Sequence, residues 1–208
     1  MSVVRRAHRL FVRDRRVEVL AASIAPLIPH DATLLDVGCG DGAIAAAIMD
    51  IRPDVVVTGL DVLVRPETRI PVQEYDGDTI PFPDRSFDAV MFVDVLHHTN
   101  DPCVLLREAA RVAPGAIIVK DHLVSGPLAR TRLRVMDWFG NTSTGVALPY
   151  NYWRPAEWER AFEEMGLKVA CCITRLDLYP PPAAWIFGGR LHVVWRLEHV
   201  RPELSKSG

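Results

Sequence analysis

The chain has 208 residues, which suits one domain with at most a small appendage. Hydrophobic residues make up 49% and charged residues 24%, so there is enough apolar material for a globular core. The formal net charge of -2 gives no overall field that would favour nucleic acid, and no uncharged apolar run reaches membrane-spanning length.

Apolar residues at helical spacing predict a first helix within residues 3–28, with arginines on another face. After Pro29, short apolar segments alternate with helical ones, which implies a parallel sheet covered on both faces. The predicted strands are TLLDV, VVVTGLD, PVQEYD, FDAVMFVDVL and AIIVKDH, and the predicted helices between them are AIAAAIMDI and DPCVLLREAARV.

The last third of the chain has a looser pattern. Residues 123–154 are rich in aromatic residues, Gly, Asn and Pro without a clear period, and we expect them to form a lid over a ligand site. PAEWERAFEEMG then predicts a helix, and LKVACCITRL and LHVVWRLE predict two strands that pair antiparallel at one edge. The predicted fold is one α/β domain over residues 1–208, with an N-terminal helical segment at 1–29. Its sheet is doubly wound, mostly parallel and seven-stranded, with an antiparallel edge strand and helices on both faces.

The segment LLDVGCGDGA, residues 34–43, places three glycines between a strand and a helix. Such a loop lets the backbone approach a ligand closely, and two cofactor classes use it: nicotinamide or flavin dinucleotides, and S-adenosylmethionine. Asp61 ends the second strand and suits the two ribose hydroxyls that both classes carry. These features alone therefore leave the cofactor open.

Asp36 lies just ahead of the glycine loop, where a pyrophosphate would bring more negative charge and be repelled. S-adenosylmethionine carries an ammonium and a sulfonium and no phosphate, so Asp36 favours it. Farther along, YDGDTIPFPDRSFDAVMF places Asp76 at the end of the third strand, ahead of a Pro-rich turn. With its LDVGCGDG and IPFPDRSFD segments, the chain resembles the class I S-adenosylmethionine-dependent methyltransferases, in their small-molecule, methyltransferase type 11-like branch. The resemblance covers residues 30–121 well and the last third only in outline.

The resemblance implies a Rossmann-like sheet and S-adenosylmethionine as cofactor. It also implies a set of binding residues at the carboxyl ends of the strands. The methionine end would be held by Asp36, Gly38, Cys39 and Gly40, the ribose by Asp61, the adenine by Val62, Asp76 and Gly77, and the sulfonium side would be lined by Asp94 and Leu96.

Two histidines are candidates for catalysis. His122 follows the fifth strand, and its ordinary pKa of about 6.5 suits removal of a proton from an oxygen acceptor. His98 follows the fourth strand and is the second candidate. A neutral amine acceptor would need little beyond a desolvated, oriented lone pair. No metal site is predicted, because the spacing of the four cysteines fits no zinc pattern.

The expected function is methyl transfer from S-adenosylmethionine to an oxygen or nitrogen of a small organic acceptor. Two alternatives stay open: an NAD(P)-dependent oxidoreductase and a non-catalytic protein that binds S-adenosylmethionine. A nucleic-acid partner is not expected, because no basic patch lies beyond the N-terminal helix. We expect a cytoplasmic protein with reduced cysteines and no stable membrane insertion, and the sequence leaves the oligomeric state open.

Overall fold

A computed structural model describes residues 3–141, 150–181 and 183–200. Within these ranges the chain forms one seven-stranded sheet in the order β3-β2-β1-β4-β5-β7-β6. The strands are β1 Thr33–Val37, β2 Val56–Asp61, β3 Val72–Glu74, β4 Ala89–Val93, β5 Ala116–His122, β6 Leu167–Ile173 and β7 His192–His199. The helices are α1 Val3–Ile24, α2 Ala43–Ile51, α3 Pro102–Val112, α4 Ala129–Asn141, α5 Pro155–Glu164 and α6 Ala183–Phe187.

The sheet confirms the predicted class: β1 to β5 are parallel, and the two closing strands pair antiparallel at one edge. Within that edge, β7 is the antiparallel strand, and it lies between β5 and β6 rather than outermost. Its register sets His192 opposite His122 at the end of β5. The inserted strand therefore brings a second histidine to the edge where the parallel strands end.

Both faces of the sheet are covered, as the alternation of strands and helices predicts. Along β4, Val90 and Phe92 pack with α3 and α5, whereas Ala89 and Met91 pack with α1 and α2. Every residue of β5 is buried, so the centre of the sheet is closed to solvent on both sides. No described helix has the length and apolar character needed to cross a membrane.

Residues 123–154, which lack a clear period in the sequence and are predicted to form a lid, contain regular structure that the sequence analysis does not predict. This segment contains the 13-residue helix α4, while residues 142–149 lie outside the described part of the chain. The buried face of α4 includes Ala129, Leu133 and Asp137, which recur every four residues. A buried aspartate interrupts the apolar repeat, and for this reason hydrophobic periodicity does not reveal the helix.

Trp158 of α5 anchors the aromatic core, with its side chain 1% exposed and its ring centroid 5.3 Å from that of Trp195. We expect Trp158→Ala to lower the free energy of unfolding by about 3–5 kcal/mol, because it removes the largest buried side chain and leaves a cavity. Trp185→Ala is the matched control, since that ring is 80% exposed, and its expected change is within about 0.5 kcal/mol. Urea unfolding measures both, and equal losses would contradict the assignment of Trp158 to the core.

Candidate functional site

The glycine loop between β1 and α2 needs glycine at each of its three positions. Gly38, Gly40 and Gly42 have φ values of +74°, +62° and +73°, a region that side chains disfavour. A Cβ at Gly38 would lie 2.4 Å from Val95 Cγ2, and a Cβ at Gly42 would lie 2.5 Å from Ile70 Cγ1. A Cβ at Gly40 would meet nothing within 4 Å, so this part of the loop faces open space. The loop is therefore packed against the protein at Gly38 and Gly42 and open at Gly40, where a ligand can approach its backbone closely.

A cavity of about 200 Å³ lies in front of this loop and is covered by α1. Two ion pairs hold the helix there, Arg13 with Asp41 and Arg16 with Asp94. The arginine face of α1 is therefore partly turned towards the cavity. The lining consists of the four residues predicted for the methionine end, Asp36, Gly38, Cys39 and Gly40, together with Arg13, Arg16, Val17, Asp41, Ala43, Ile44 and Val93.

Asp36 and Cys39 give the cavity its chemistry. Asp36 is 3% exposed, and its burial, together with the charge of Asp61, raises the pKa of its carboxyl to about 8. A cationic ligand group at this position would favour the ionised form and bind to it. Burial also raises the pKa of the Cys39 thiol, so this side chain is a small neutral wall rather than a nucleophile.

Asp61 connects the end of β2 to the glycine loop. Its Oδ2 accepts a hydrogen bond of 2.7 Å from the Gly40 N–H, and its Oδ1 accepts one of 2.9 Å from the Leu63 N–H. A carboxylate has about four lone-pair sites, so two of them can still accept ribose hydroxyls. Asp61 therefore has both a structural contact and the capacity predicted for ribose binding.

The residues predicted for adenine binding lie close together beyond β2 and β3. A Cβ at Gly77 would lie 3.2 Å from Val62 Cγ1, and the Val62 side chain is 51% exposed. The Oδ1 of Asp76 accepts hydrogen bonds from the N–H groups of Asp78 and Thr79, which lower the pKa of Asp76. This arrangement provides an apolar wall beside an ionised acceptor.

The two residues predicted for the sulfonium side, in the loop after β4, have different environments. Asp94 has a positive φ of 57° and forms ion pairs with Arg16 and Lys120. Although burial opposes ionisation, these two cations hold the pKa of Asp94 well below its usual range. Leu96 is fully buried in the core, so its side chain does not line the cavity, and Val95 contacts Gly38 instead.

Buried polar side chains gather next to Asp94, at the carboxyl ends of β4 and β5 and on the inner face of α4. They come from four parts of the chain: the loop after β4, the last two residues of β5, helix α4 and the segment just before α5. We call them the polar cluster, which consists of Asp94, His97, Asp121, His122, Asp137 and Tyr152.

Short contacts join the members of the polar cluster. His97 Nδ1 lies 2.7 Å from Asp121 Oδ1, and His97 Nε2 lies 3.4 Å from Asp137 Oδ2. His122 Nε2 lies 3.6 Å from Asp137 Oδ1 and 3.5 Å from Asp94 Oδ1. The Tyr152 hydroxyl donates a hydrogen bond to Asp137. Two imidazoles therefore face the same carboxylate.

The two predicted catalytic histidines occupy different positions. His122 is 3% exposed within the cluster, and burial lowers its pKa despite the nearby Asp94 carboxylate. His98 lies beside the cluster, with its ring centroid 4.1 Å from that of His97, and burial and His97 lower its pKa to about 4. His97, which the sequence analysis does not select, occupies the more central position.

The sequence analysis also does not select Asp137 and Tyr152. Asp137 lies in a segment where no helix is predicted, and Tyr152 follows residues 142–149. A signal is present for His97, because the HH pair and the KDH triplet both end predicted strands. Polar residues at adjacent strand ends meet at one edge of a parallel sheet.

Comparison with known proteins places this chain in a family. The sequence profile of a methyltransferase domain family matches residues 6–171. The chain belongs to this methyltransferase family. An uncharacterised methyltransferase of Mycobacterium tuberculosis (strain ATCC 25618 / H37Rv) is 30% identical over 179 residues, covering 78% of this chain and 86% of that protein. The 27-O-demethylrifamycin SV methyltransferase of Amycolatopsis mediterranei (strain S699) is 36% identical over 104 residues, covering 44% of this chain and 38% of that protein.

The fold of this methyltransferase agrees with a solved structure. A SAM-dependent methyltransferase from Aquifex aeolicus has a TM-score of 0.59 and 17% identity, covering 88% of this chain and 91% of that one. The Rossmann-like fold predicted by resemblance is thereby confirmed. The methyltransferase is an enzyme whose cofactor is S-adenosylmethionine, and the dinucleotide-dependent alternative is not favoured.

Asp61 provides a direct test of the cofactor site. We expect Asp61→Ala to weaken S-adenosylhomocysteine binding by about 1.5–3 kcal/mol, because it removes a charged acceptor from the ribose hydroxyls. It also releases the Gly40 N–H. Titration calorimetry measures the dissociation constant, and Asp78→Ala is the control because Asp78 is exposed in the neighbouring loop. Equal affinities for wild type and Asp61→Ala would remove Asp61 from the site.

Proposed function

We propose that this methyltransferase transfers the methyl group of S-adenosylmethionine to a hydroxyl oxygen of a small organic acceptor. The observation that carries this proposal is the polar cluster, because it includes Asp94, which the family resemblance assigns to the sulfonium side of the cofactor. An amine acceptor needs an apolar, oriented site, whereas a hydroxyl must also lose a proton. A buried group of two imidazoles and three carboxylates suits the second task.

The cofactor supplies an activated methyl group, and the chain supplies position. Asp36 would bind the ammonium of the methionine end. The rest of the methionine end would lie against the open face of Gly40. Asp61 would fix the ribose, and Val62 and Gly77 would hold the adenine plane. Transfer is an in-line displacement, so these contacts act by aligning the methyl carbon with the acceptor oxygen.

Residues 123–154 would cover the acceptor. The described helix α4 presents Asp137 to the cluster, and Tyr152 approaches it from the other end of the segment. Asn151 donates to the carbonyl groups of Thr99 and Asn100, which ties this end to the loop after β4. The described parts of this segment are therefore well placed to exclude water from the acceptor oxygen during transfer.

The relatives agree with a small acceptor. The Amycolatopsis mediterranei enzyme is named for an O-demethylated rifamycin, and the chain spans only 38% of that protein. For this chain we propose only the chemical class of that acceptor, a hydroxyl on an organic molecule, and not the same compound. No nucleic-acid acceptor is proposed, because the chain is slightly acidic overall. Four unpaired cysteines fit the cytoplasmic location predicted from the sequence.

An acceptor screen tests this proposal. The purified chain is incubated with S-adenosylmethionine and panels of phenols, aliphatic alcohols and primary amines, and release of S-adenosylhomocysteine is measured. Turnover confined to hydroxyl compounds is the expected result. Turnover confined to amines would overturn the choice of oxygen. Calorimetric binding of S-adenosylhomocysteine without turnover of any panel member would favour the non-catalytic alternative.

A further inference from the structure

Donor atoms converge inside the polar cluster at separations that suit a bound ion. One ligand atom each from Asp94, His97 and His122 lie within 4.8 Å of one another. The oxygens of Asp137 lie 3.4 Å from His97 Nε2 and 3.6 Å from His122 Nε2. These separations exceed the usual hydrogen-bond range of about 2.7–3.2 Å. They approach the spacing of about 3.3 Å between neighbouring ligands of a tetrahedral zinc ion with bonds of about 2.0–2.1 Å.

His97 is oriented as a metal ligand would be. Its Nδ1 lies 2.7 Å from Asp121 Oδ1, so the carboxylate fixes the ring and directs Nε2 into the cluster. Nε2 is buried, in a side chain that is 1% exposed, and has no hydrogen-bond partner among the described residues. The nearest acceptor is Asp137 Oδ2 at 3.4 Å, and a cation between the two groups would contact both.

Neighbouring side chains also hold two carboxylates of the cluster in place. Tyr152 donates to Asp137, and Lys120 and Arg16 both contact Asp94. Both carboxylates therefore lie within the cluster beside His97 and His122.

We propose that the polar cluster is a divalent metal site of the zinc type, with His97 Nε2, His122 Nε2 and Asp137 as ligands, Asp94 beside them and one position open to the acceptor. The proposal rests on the function proposed above and states how the hydroxyl is activated. The acceptor oxygen would bind at the open position and its O–H bond would break, with the proton leaving to solvent. An oxygen lone pair would then form the new C–O bond while the C–S bond breaks and its electron pair stays on sulfur.

Cobalt binding tests the site without reference to catalysis. The untagged chain is freed of metal with a chelator and titrated with Co²⁺, whose visible absorption reports tetrahedral coordination. We expect saturation at one equivalent and displacement by Zn²⁺. Asp121→Asn should weaken binding by about 10–100-fold through the lost orientation of His97. His97→Ala and His122→Ala should weaken it at least as much. His30→Ala is the control, because that side chain is 92% exposed.

Binding of S-adenosylhomocysteine separates the possible failures. Variants that still bind it are folded, so loss of Co²⁺ binding in them supports the metal site. Absence of saturable Co²⁺ binding in a wild-type chain that binds S-adenosylhomocysteine would overturn the metal proposal and leave His122 as a metal-free base. A wild-type chain that binds Co²⁺ and not S-adenosylhomocysteine would instead overturn the proposed function.

Discussion

Replacing His122 with alanine is expected to lower kcat for a hydroxyl acceptor by about 10²–10⁴ while leaving S-adenosylhomocysteine binding nearly unchanged. His122 Nε2 faces Asp94 and Asp137 at 3.5 and 3.6 Å, inside the polar cluster and outside the lining of the cofactor cavity. The imidazole would promote loss of the acceptor proton, whether as a base or as a metal ligand. Its removal would therefore affect the chemical step rather than cofactor affinity.

A second variant and a second measurement distinguish loss of catalysis from loss of folding. His122→Gln keeps hydrogen-bonding capacity without the basicity of imidazole, so it should be almost as slow as His122→Ala. Melting temperatures are measured beside kcat, because His122 is 3% exposed and its removal alone could unfold the chain. His30→Ala should match wild type in both measurements. Full activity of a folded His122→Ala variant towards a hydroxyl acceptor would exclude His122 from the chemistry.

The fold could be predicted because its signals are local. Short apolar segments, Pro53 before β2 and Asp101 as the cap of α3 mark the element boundaries without reference to distant residues. The glycine loop could be predicted for the same reason, since its three positive φ values require a residue type that is visible in the sequence. The place of β7 between β5 and β6 could not, because chain order does not determine the order of strands in a sheet.

The polar cluster depends on contacts that no local pattern records. His97 and His98 are adjacent in a short 3-10 helix, and only its orientation decides that His97 meets Asp121. Arg16 lies 78 residues from Asp94, and the two meet only when α1 packs over the cavity. Asp137 places a charged residue on the buried face of α4, so the apolar periodicity of the sequence does not predict this helix. The residues with most functional interest are those whose polarity disrupts the apolar pattern.

Cofactor affinity should depend on pH through Asp36. The pKa of its carboxyl is raised to about 8 by burial and by the charge of Asp61, so below pH 8 the free protein holds a proton there. A bound ammonium favours the ionised carboxylate, so binding releases that proton. We expect the dissociation constant of S-adenosylhomocysteine to fall by up to about tenfold per pH unit between pH 6 and 8. Above about pH 8 the affinity should level off, because Asp36 is then ionised in the free protein as well.

The effect of Asp36 on folding has the opposite sign. Its pKa is raised in the folded state, so between the ordinary value of 3.8 and about 8 the folded protein binds more protons than the unfolded chain. Asp36 therefore lowers the free energy of unfolding of the cofactor-free protein as the pH rises through this window. Cofactor binding should reverse this loss, which thermal unfolding with and without S-adenosylhomocysteine can measure.

Asp36→Asn isolates this group because asparagine keeps the shape of the side chain and does not titrate. We expect the variant to bind S-adenosylhomocysteine more weakly than wild type at pH 8 and with little change in affinity between pH 6 and 7.5. Its cofactor-free form should gain stability relative to wild type as the pH approaches 8. Calorimetry in two buffers with different ionisation enthalpies counts the proton that wild type releases at pH 6.5, and the variant should release none. A wild-type affinity that stays constant from pH 6 to 8, without proton release, would mean that Asp36 does not meet the ammonium of the cofactor.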